Sequence, residues 1–251
     1  MKKWLLVICL FALQHTIGYS QKGVLFQAAF NGSDYEFGYR SKPSISITDA
    51  PEDIDWDRWS ILHDGEVYRL YFMPIGRSDK LYQFGFNFDT EKYEYGYRSN
   101  PIIPIVDLPR DANLTSFSIL YDGTDYRLYF KTSERDLIYQ CAYDESYGRY
   151  GAYRFGYRSI AEIPVINAPS FTDWKSWTML HDGGNYRLYF RSTKNKNQII
   201  QFGFNGNAYS YGYNSKPIIN VIGMPNLKYT DKFNITYDGI DYRLYRLRKQ
   251  E

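Results

Sequence analysis

Cysteine is almost missing from this chain. Cys9 and Cys141 are the only two, and Cys9 lies in an apolar stretch near the start that reads as a leader. Without the leader Cys141 stands alone, which excludes an intramolecular disulfide, so an exported domain of roughly 230 residues must be held by its core. Histidine is scarce too, with His15, His63 and His181. No His/Cys cluster has zinc spacing, and there is no GxSxG and no glycine-rich phosphate loop. Neither a metal, a cofactor nor a catalytic constellation is expected. Net charge is also lacking. Removing residues 1–20 takes away two lysines and no acid, which brings Lys plus Arg from 30 to 28 against 28 Asp plus Glu. A formally neutral chain has no general attraction for nucleic acid or anionic membranes. No later segment is long and apolar enough to span a bilayer.

The leader itself is Met1–Ser20. Lys2 and Lys3 form a basic head, Trp4 to Leu13 an apolar stretch, and Gly18-Tyr19-Ser20 a small-x-small site before Gln21. The apolar stretch falls short of the ~20 residues of a membrane anchor. It reads as a cleavable signal peptide, which implies a secreted or periplasmic protein.

What the chain does hold is aromatic. Its 27 Tyr, 16 Phe and 5 Trp favour strands. No window carries a helical stripe at i, i+3, i+4, i+7. The expected class is all-β.

A ten-residue stretch recurs four times: HDGEVYRLYF (63–72), YDGTDYRLYF (121–130), HDGGNYRLYF (181–190) and YDGIDYRLYR (237–246). Asp-Gly between aromatic-rich runs signals a β-hairpin, since Gly tolerates positive φ and Asp accepts turn hydrogen bonds. Each hairpin is preceded by YEFGYRS (35–41), YEYGYRS (93–99), YRFGYRS (153–159) or YSYGYNS (209–215). The glycines of both series are separated by 58, 60 and 56 residues, and the offset between series is 27 in every copy. The intervening segment carries an apolar pair (Ile45/Ile47, Ile103/Ile105, Ile163/Val165, Ile219/Val221) and a proline stop (Pro51, Pro109, Pro169, Pro225). It reads as a buried extended crossing, and Pro104 and Pro164 within it argue against a central strand.

Four strands with short turns, then one long crossing, describe a propeller blade. The expected fold is a four-bladed β-propeller spanning 21–251, with repeats at about 25–74, 81–130, 138–190 and 199–246. Each blade is a four-stranded meander, and the last is completed by strands from both termini, which leaves no free edge. Two β-sandwich domains are the alternative. In repeat number and length the chain resembles the four-bladed hemopexin-like architecture, although that family's repeat motif is absent and no functional residue transfers from it.

A twofold pattern underlies the fourfold one. Copies 1 and 3 have His63, His181, Trp59 and Trp177 where copies 2 and 4 have Tyr121, Tyr237, Phe117 and Phe233. Copies 1 and 3 also read DWDRW (55–59) and DWKSW (173–177). Trp56 and Trp174 match Leu114 and Thr230, so they are not required for a core. Placed on a connection beside Asp55 and Asp173, they suit stacking on a sugar face with a carboxylate taking hydroxyls. A lid over the blade edge is the competing reading. The repeated Arg69, Arg127, Arg187 and Arg243 either present guanidinium groups to carboxylates or sugar hydroxyls, or pair with the hairpin Asp, and their fourfold recurrence favours structure. The Arg40, Arg98, Arg158 series is broken by Asn214. His63 and His181 read as hairpin residues interchangeable with Tyr rather than a metal pair. Cys141 reads as core. Asn31, Asn113 and Asn234 begin glycosylation sequons.

The functional expectation is a non-catalytic exported binding protein, glycan-binding through the aromatic and acidic residues. A protein–protein scaffold and a hydrolase with loop carboxylates are the alternatives. The expected partners are a glycan or an extracellular protein.

Overall fold

The computed structural model describes residues 21–132, 136–225 and 232–250. The expected signal peptide, with Cys9 and His15, and the comparison residue Thr230 lie outside the described residues. What is described is all-β, with twenty strands and no helix.

The strands fall into four similar groups. The first is β4 (Ile54–His63), β5 (Tyr68–Pro74), β6 (Lys80–Asn87), β7 (Lys92–Tyr95) and β8 (Ile102–Val106). β9 (Ala112–Tyr121), β10 (Tyr126–Thr132), β11 (Leu137–Asp144), β12 (Ala152–Phe155) and β13 (Glu162–Ile166) make the second. The third is β14 (Thr172–His181), β15 (Tyr186–Ser192), β16 (Gln198–Phe204), β17 (Tyr209–Tyr211) and β18 (Ile218–Ile222). The fourth joins β19 (Phe233–Tyr237) and β20 (Tyr242–Lys249) to β1 (Gln21–Phe30), β2 (Tyr35–Phe37) and β3 (Ser44–Ala50). Here β1 pairs antiparallel with β20 from Gly23↔Lys249 to Ala29↔Arg243.

The crossing segments differ from expectation. They are fifth strands, and each is shared between two groups. β8 runs antiparallel to β6, with Lys80 opposite Pro104, and parallel to β12 of the next group. Proline fits because the pairing is short and at the sheet margin, and Ile105 N instead donates to the Asp79 carbonyl at 2.8 Å. The apolar pairs on these strands are buried, Ile103 and Ile105 at 5% and 4% exposure. Four core clusters result, each filled from two consecutive groups; one joins Leu25, Tyr245 and Leu247 to Trp59, Phe72 and Phe84.

GYRS is likewise a turn rather than a strand end. Gly96 has φ 68° and Arg98 φ 46°, with Arg40, Arg158 and Asn214 at 41°, 44° and 44°. That left-handed position accounts for Asn214, since Asn tolerates the conformation better than most residues. Asp49, Asp107, Asn167 and Gly223 hold a second recurrent positive φ just before each proline stop.

The strands β4, β9, β14 and β19 lie against one another in cyclic order. Ser60, Ser118, Thr178 and Asn234 occupy one level between them and are buried. Ser118 Oγ and Thr178 Oγ1 are 3.2 Å apart, and Asn234 Nδ2 donates to Ser60 Oγ at 3.2 Å.

Candidate binding clefts

The hairpin aspartates organise one end of the molecule. Asp122 Oδ1 accepts from the backbone amides of Thr124 and Asp125 at 3.0 and 2.7 Å, which closes the turn over Gly123. Its Oδ2 accepts from Arg127 Nε at 2.5 Å and from the hydroxyl of Tyr186, in the next group, at 2.8 Å. The same pattern holds for Asp64 with Arg69 and Tyr126, and for Asp182 with Arg187 and Tyr242. For Asp238 the partners are Arg243 and Tyr68, whose hydroxyl reaches it at 2.6 Å across 170 residues of sequence. The four hydrogen bonds therefore form a closed circuit. Burial raises these carboxyls, but the Arg contact, the turn amides and the Tyr hydroxyl outweigh it and hold Asp122 and Asp238 at about 2. Burial and the facing carboxylate push Tyr126, Tyr186 and Tyr242 up to about 12, so they stay donors.

Each of the four arginines is thus committed to the fold on its Nε. Nη1 is committed as well. It donates to the carbonyl of Arg98, Arg158, Asn214 or Arg40, at 3.5, 2.9, 3.2 and 3.3 Å for Arg69, Arg127, Arg187 and Arg243. A backbone carbonyl does this work, which is why Asn can stand where three copies have Arg. The side chains of Arg40, Arg98 and Arg158 lie over the preceding tyrosine rings, 5.3–5.5 Å from their centroids. Gln83, with its amide oriented to satisfy both neighbours, donates to the Asn100 carbonyl at 3.2 Å and accepts from Arg69 Nη1 at 3.1 Å. Gln140 and Gln201 do the same in their copies.

Above this lattice lie clefts between consecutive groups. One of 430 Å³ is lined by Arg69, Tyr71, Arg98, Asn100, Tyr126 and Tyr143 among others. Its counterparts on Arg127 and Arg187 have 330 and 260 Å³. The floor positions are the same in each: the Arg and Tyr of YRLY, a Gln, a Ser and an apolar residue of the crossing strand. The rim differs, with Tyr143 in the first and Phe204 and Phe30 in the others. Aromatic walls with guanidinium, amide and hydroxyl groups can take a polar ring through stacking and hydrogen bonds together.

The tryptophan pair fares unevenly, and its expected placement on a connection is corrected. Both residues lie within strands, in a bulge: Ile54 faces Pro74 and Trp59 faces Phe72, so Asp55–Arg58 is looped out. A bulge re-aims side chains without ending the strand. Trp56 is 7% exposed, packs edge-on to Phe72 and donates Nε1 to Gln21 Oε1 at 2.6 Å. It lies over Gly23, where an added Cβ would sit 2.2 Å from the indole. No face is left for a ligand, so the platform reading fails at Trp56. Trp174 is half-buried and lines a 640 Å³ cavity with Asn113, Thr115, Lys131 and Lys175, with Lys131 Nζ 4.8 Å over its ring. The acids beside them are local. Asp55 Oδ1 accepts from Asp57 N at 3.0 Å, and Asp173 Oδ1 from Lys175 N at 3.1 Å. Asp173 Oδ2 also pairs with Arg191 at 2.7 Å. Asn113 makes the same turn contact in its copy, so the acid is there to shape the bulge.

The structure brings His63 and His181 to one small axial cavity with Tyr121 and Tyr237. Each stacks on its hairpin tyrosine at 4.5 Å, and burial pushes His63 down. Among the described residues no group of three or more His, Cys, Asp or Glu is placed to hold a metal ion. Cys141 is fully buried, and burial pushes its thiol up. At the opposite end of the axis Lys232 is buried over Phe117 and donates to its carbonyl at 3.3 Å; burial, then Arg58, lower it to about 7 against the pull of Asp55 and Asp57.

The tyrosines of the circuit and the glutamines were not singled out from sequence. The available signal was recurrence, since Gln27, Gln83, Gln140 and Gln201 stand in every copy. No protein-family model matches the chain. A search of curated proteins also finds no match.

Proposed function

We propose that this is an exported, non-catalytic, multivalent glycan-binding protein, processed after Ser20 and built as a four-bladed β-propeller. Each group of strands would be one blade, with β3, β8, β13 and β18 as the straps between blades. The Tyr–Asp circuit and the β1–β20 pairing support closure of such a ring. Cores filled across every group boundary argue against two separable sandwiches.

The observation that carries the function is the recurrence of one Arg–Tyr–Gln cleft between consecutive groups. Repeated weak sites on one face gain avidity on a multivalent surface, which a glycan coat provides. The fixed floor would bind what sugars share, while the Tyr or Phe rim would set preference. A glycan array probed with the exported protein tests this. Arg98→Asn and Arg158→Asn copy the residue already present at Asn214, so they should fold as the parent and weaken array binding. An array silent at high protein density, together with a co-purifying extracellular protein, would replace the glycan reading with the scaffold.

A further inference from the structure

The four arginines of these repeats are not chemically equal. In two copies the last N–H edge of the arginine is taken: Arg127 Nη2 donates to Asp125 at 3.1 Å, and Arg243 Nη2 to Asp241 at 3.2 Å. The residue two before the arginine is Val67 in the first copy and Asn185 in the third. Arg69 and Arg187 accordingly have no second acid partner among the described residues, each pairing through Nε with its hairpin aspartate. Arg69 is also the most exposed of the four, 20% against 13% for Arg127.

Other features favour the Arg69 cleft over the Arg187 cleft. It is the larger of the two, at 430 Å³ against 260 Å³. It is lined by a second arginine, Arg98, where the Arg187 cleft has Asn214, and the Lys216 that lines the latter is held by the Ser33 carbonyl at 2.6 Å and by Asp34 at 3.7 Å. Ser99 Oγ on its lining and Ser215 Oγ in the Arg187 cleft are both buried without a hydrogen-bond partner, so this serine does not separate those two, whereas Ser159 in the Arg127 cleft donates to the Gln140 carbonyl at 3.5 Å. Ion pairing separates the Arg69 and Arg127 clefts too: among the described residues Arg69 pairs with Asp64, while Arg127 pairs with both Asp122 and Asp125.

We propose that the Arg69 cleft is the acid-selective site of the set: it takes a carboxylate-bearing saccharide, with the carboxylate on Arg69 Nη2 and the ring against Tyr126 and Tyr143. This rests on the glycan reading above and narrows it to one cleft and one class of sugar. An acidic group at residue 67 would occupy the same N–H edge, so the chain itself shows how the site is closed in copies 2 and 4. The backbone already suits that residue, since Val67 N donates to Asp64 Oδ1 at 2.9 Å as Asp125 N does to Asp122 at 2.7 Å.

The experiment is calorimetric titration of the exported protein at low salt with 3′-sialyllactose and with digalacturonate, each beside its methyl ester. We expect at least one acid to bind at one strong site per chain, and its ester about tenfold more weakly, the worth of a charge-assisted hydrogen bond. Val67→Asp should lower the acid's affinity about tenfold with the melting temperature retained. Asp125→Val should add a second acid site, on Arg127. The proposal is overturned if acid and ester bind alike, if Val67→Asp leaves acid binding unchanged, or if Asp125→Val adds no site. It is also overturned if neither acid binds while neutral glycans do on the array, an outcome that leaves the glycan reading standing. Silence toward acidic and neutral glycans together removes both.

Discussion

The two ends of strands β4, β9, β14 and β19 follow different rules. At the hairpin end every position of the Asp–Arg–Tyr–Gln lattice recurs in all four copies, and each copy's aspartate is completed by the next copy's tyrosine. At the other end the same repeat position holds Arg58, Ser116, Ser176 and Lys232, and the bulge residue is Trp56, Leu114 or Trp174. A side chain that must satisfy its neighbour's copy cannot change alone. One that meets a different neighbour at each boundary can. Trp56 and Trp174 illustrate the second case. Nearly the same pentapeptide buries its first tryptophan where Gly23 leaves room, and leaves it half-open where Lys131 lies over the ring.

Breaking the lattice should have the largest effect. Asp238→Ala takes the acceptor from Arg243 Nε, the Tyr68 hydroxyl and the turn amides of Ile240 and Asp241 where the first and last copies meet, although Asp241 still holds Arg243 Nη2; losing several hydrogen bonds to one charged group should cost on the order of 3–5 kcal/mol. Thermal melting should show a loss of that size, and a variant melting like the parent would mean the circuit contributes nothing. The same lattice sets the acid limit. The folded carboxyls of Asp122 and Asp238 lie near 2, below the ordinary 3.8. Their contribution is present above about pH 4 and lost as pH falls toward 2, which denaturant titrations through that window would follow.

The tryptophans sharpen the contrast at the other end. Trp56→Thr empties a packed site and should cost about 3 kcal/mol. Equal melting of Trp56→Thr and Trp174→Thr would mean that the two tryptophans are packed alike. Lys232 gives an effect of opposite sign. Its folded pKa, about 7, lies below the ordinary 10.5, so between those values the unfolded chain binds the extra proton. Stability is lowest below pH 7 and rises with pH above it. Lys232→Met should raise the melting point at pH 6 and flatten its rise between pH 6 and 9. A variant that keeps the rise would assign the titration elsewhere. Trp174→Thr should be the mildest change, within about 1 kcal/mol.

Much of this architecture is written in local residue order. Asp-Gly turns, the alternation of YRLYF and the constant offset of 27 follow from backbone preferences and pleat, which short stretches specify. The all-β class is legible for the same reason. The fifth strand was obscured because Pro104 and Pro164 signal a break, and only a partner on each side reveals that the segment pairs at a margin. The arginines were legible as structural, but their acceptors were not: Arg98, Arg158 and Asn214 act through a carbonyl whose orientation comes from a left-handed turn.

The sequence by itself determined the repeat, its hairpins and the residues that must recur. Those are period-two and turn-chemistry properties, and each is decided within about ten residues of chain. The tertiary structure alone decided which recurring residue completes which: Tyr68 with Asp238, Trp56 with Gly23, Lys131 with Trp174. It also decided which arginines pair with a second acid. These are contacts between copies, set by how each side chain meets the neighbouring copy, and no local pattern encodes that.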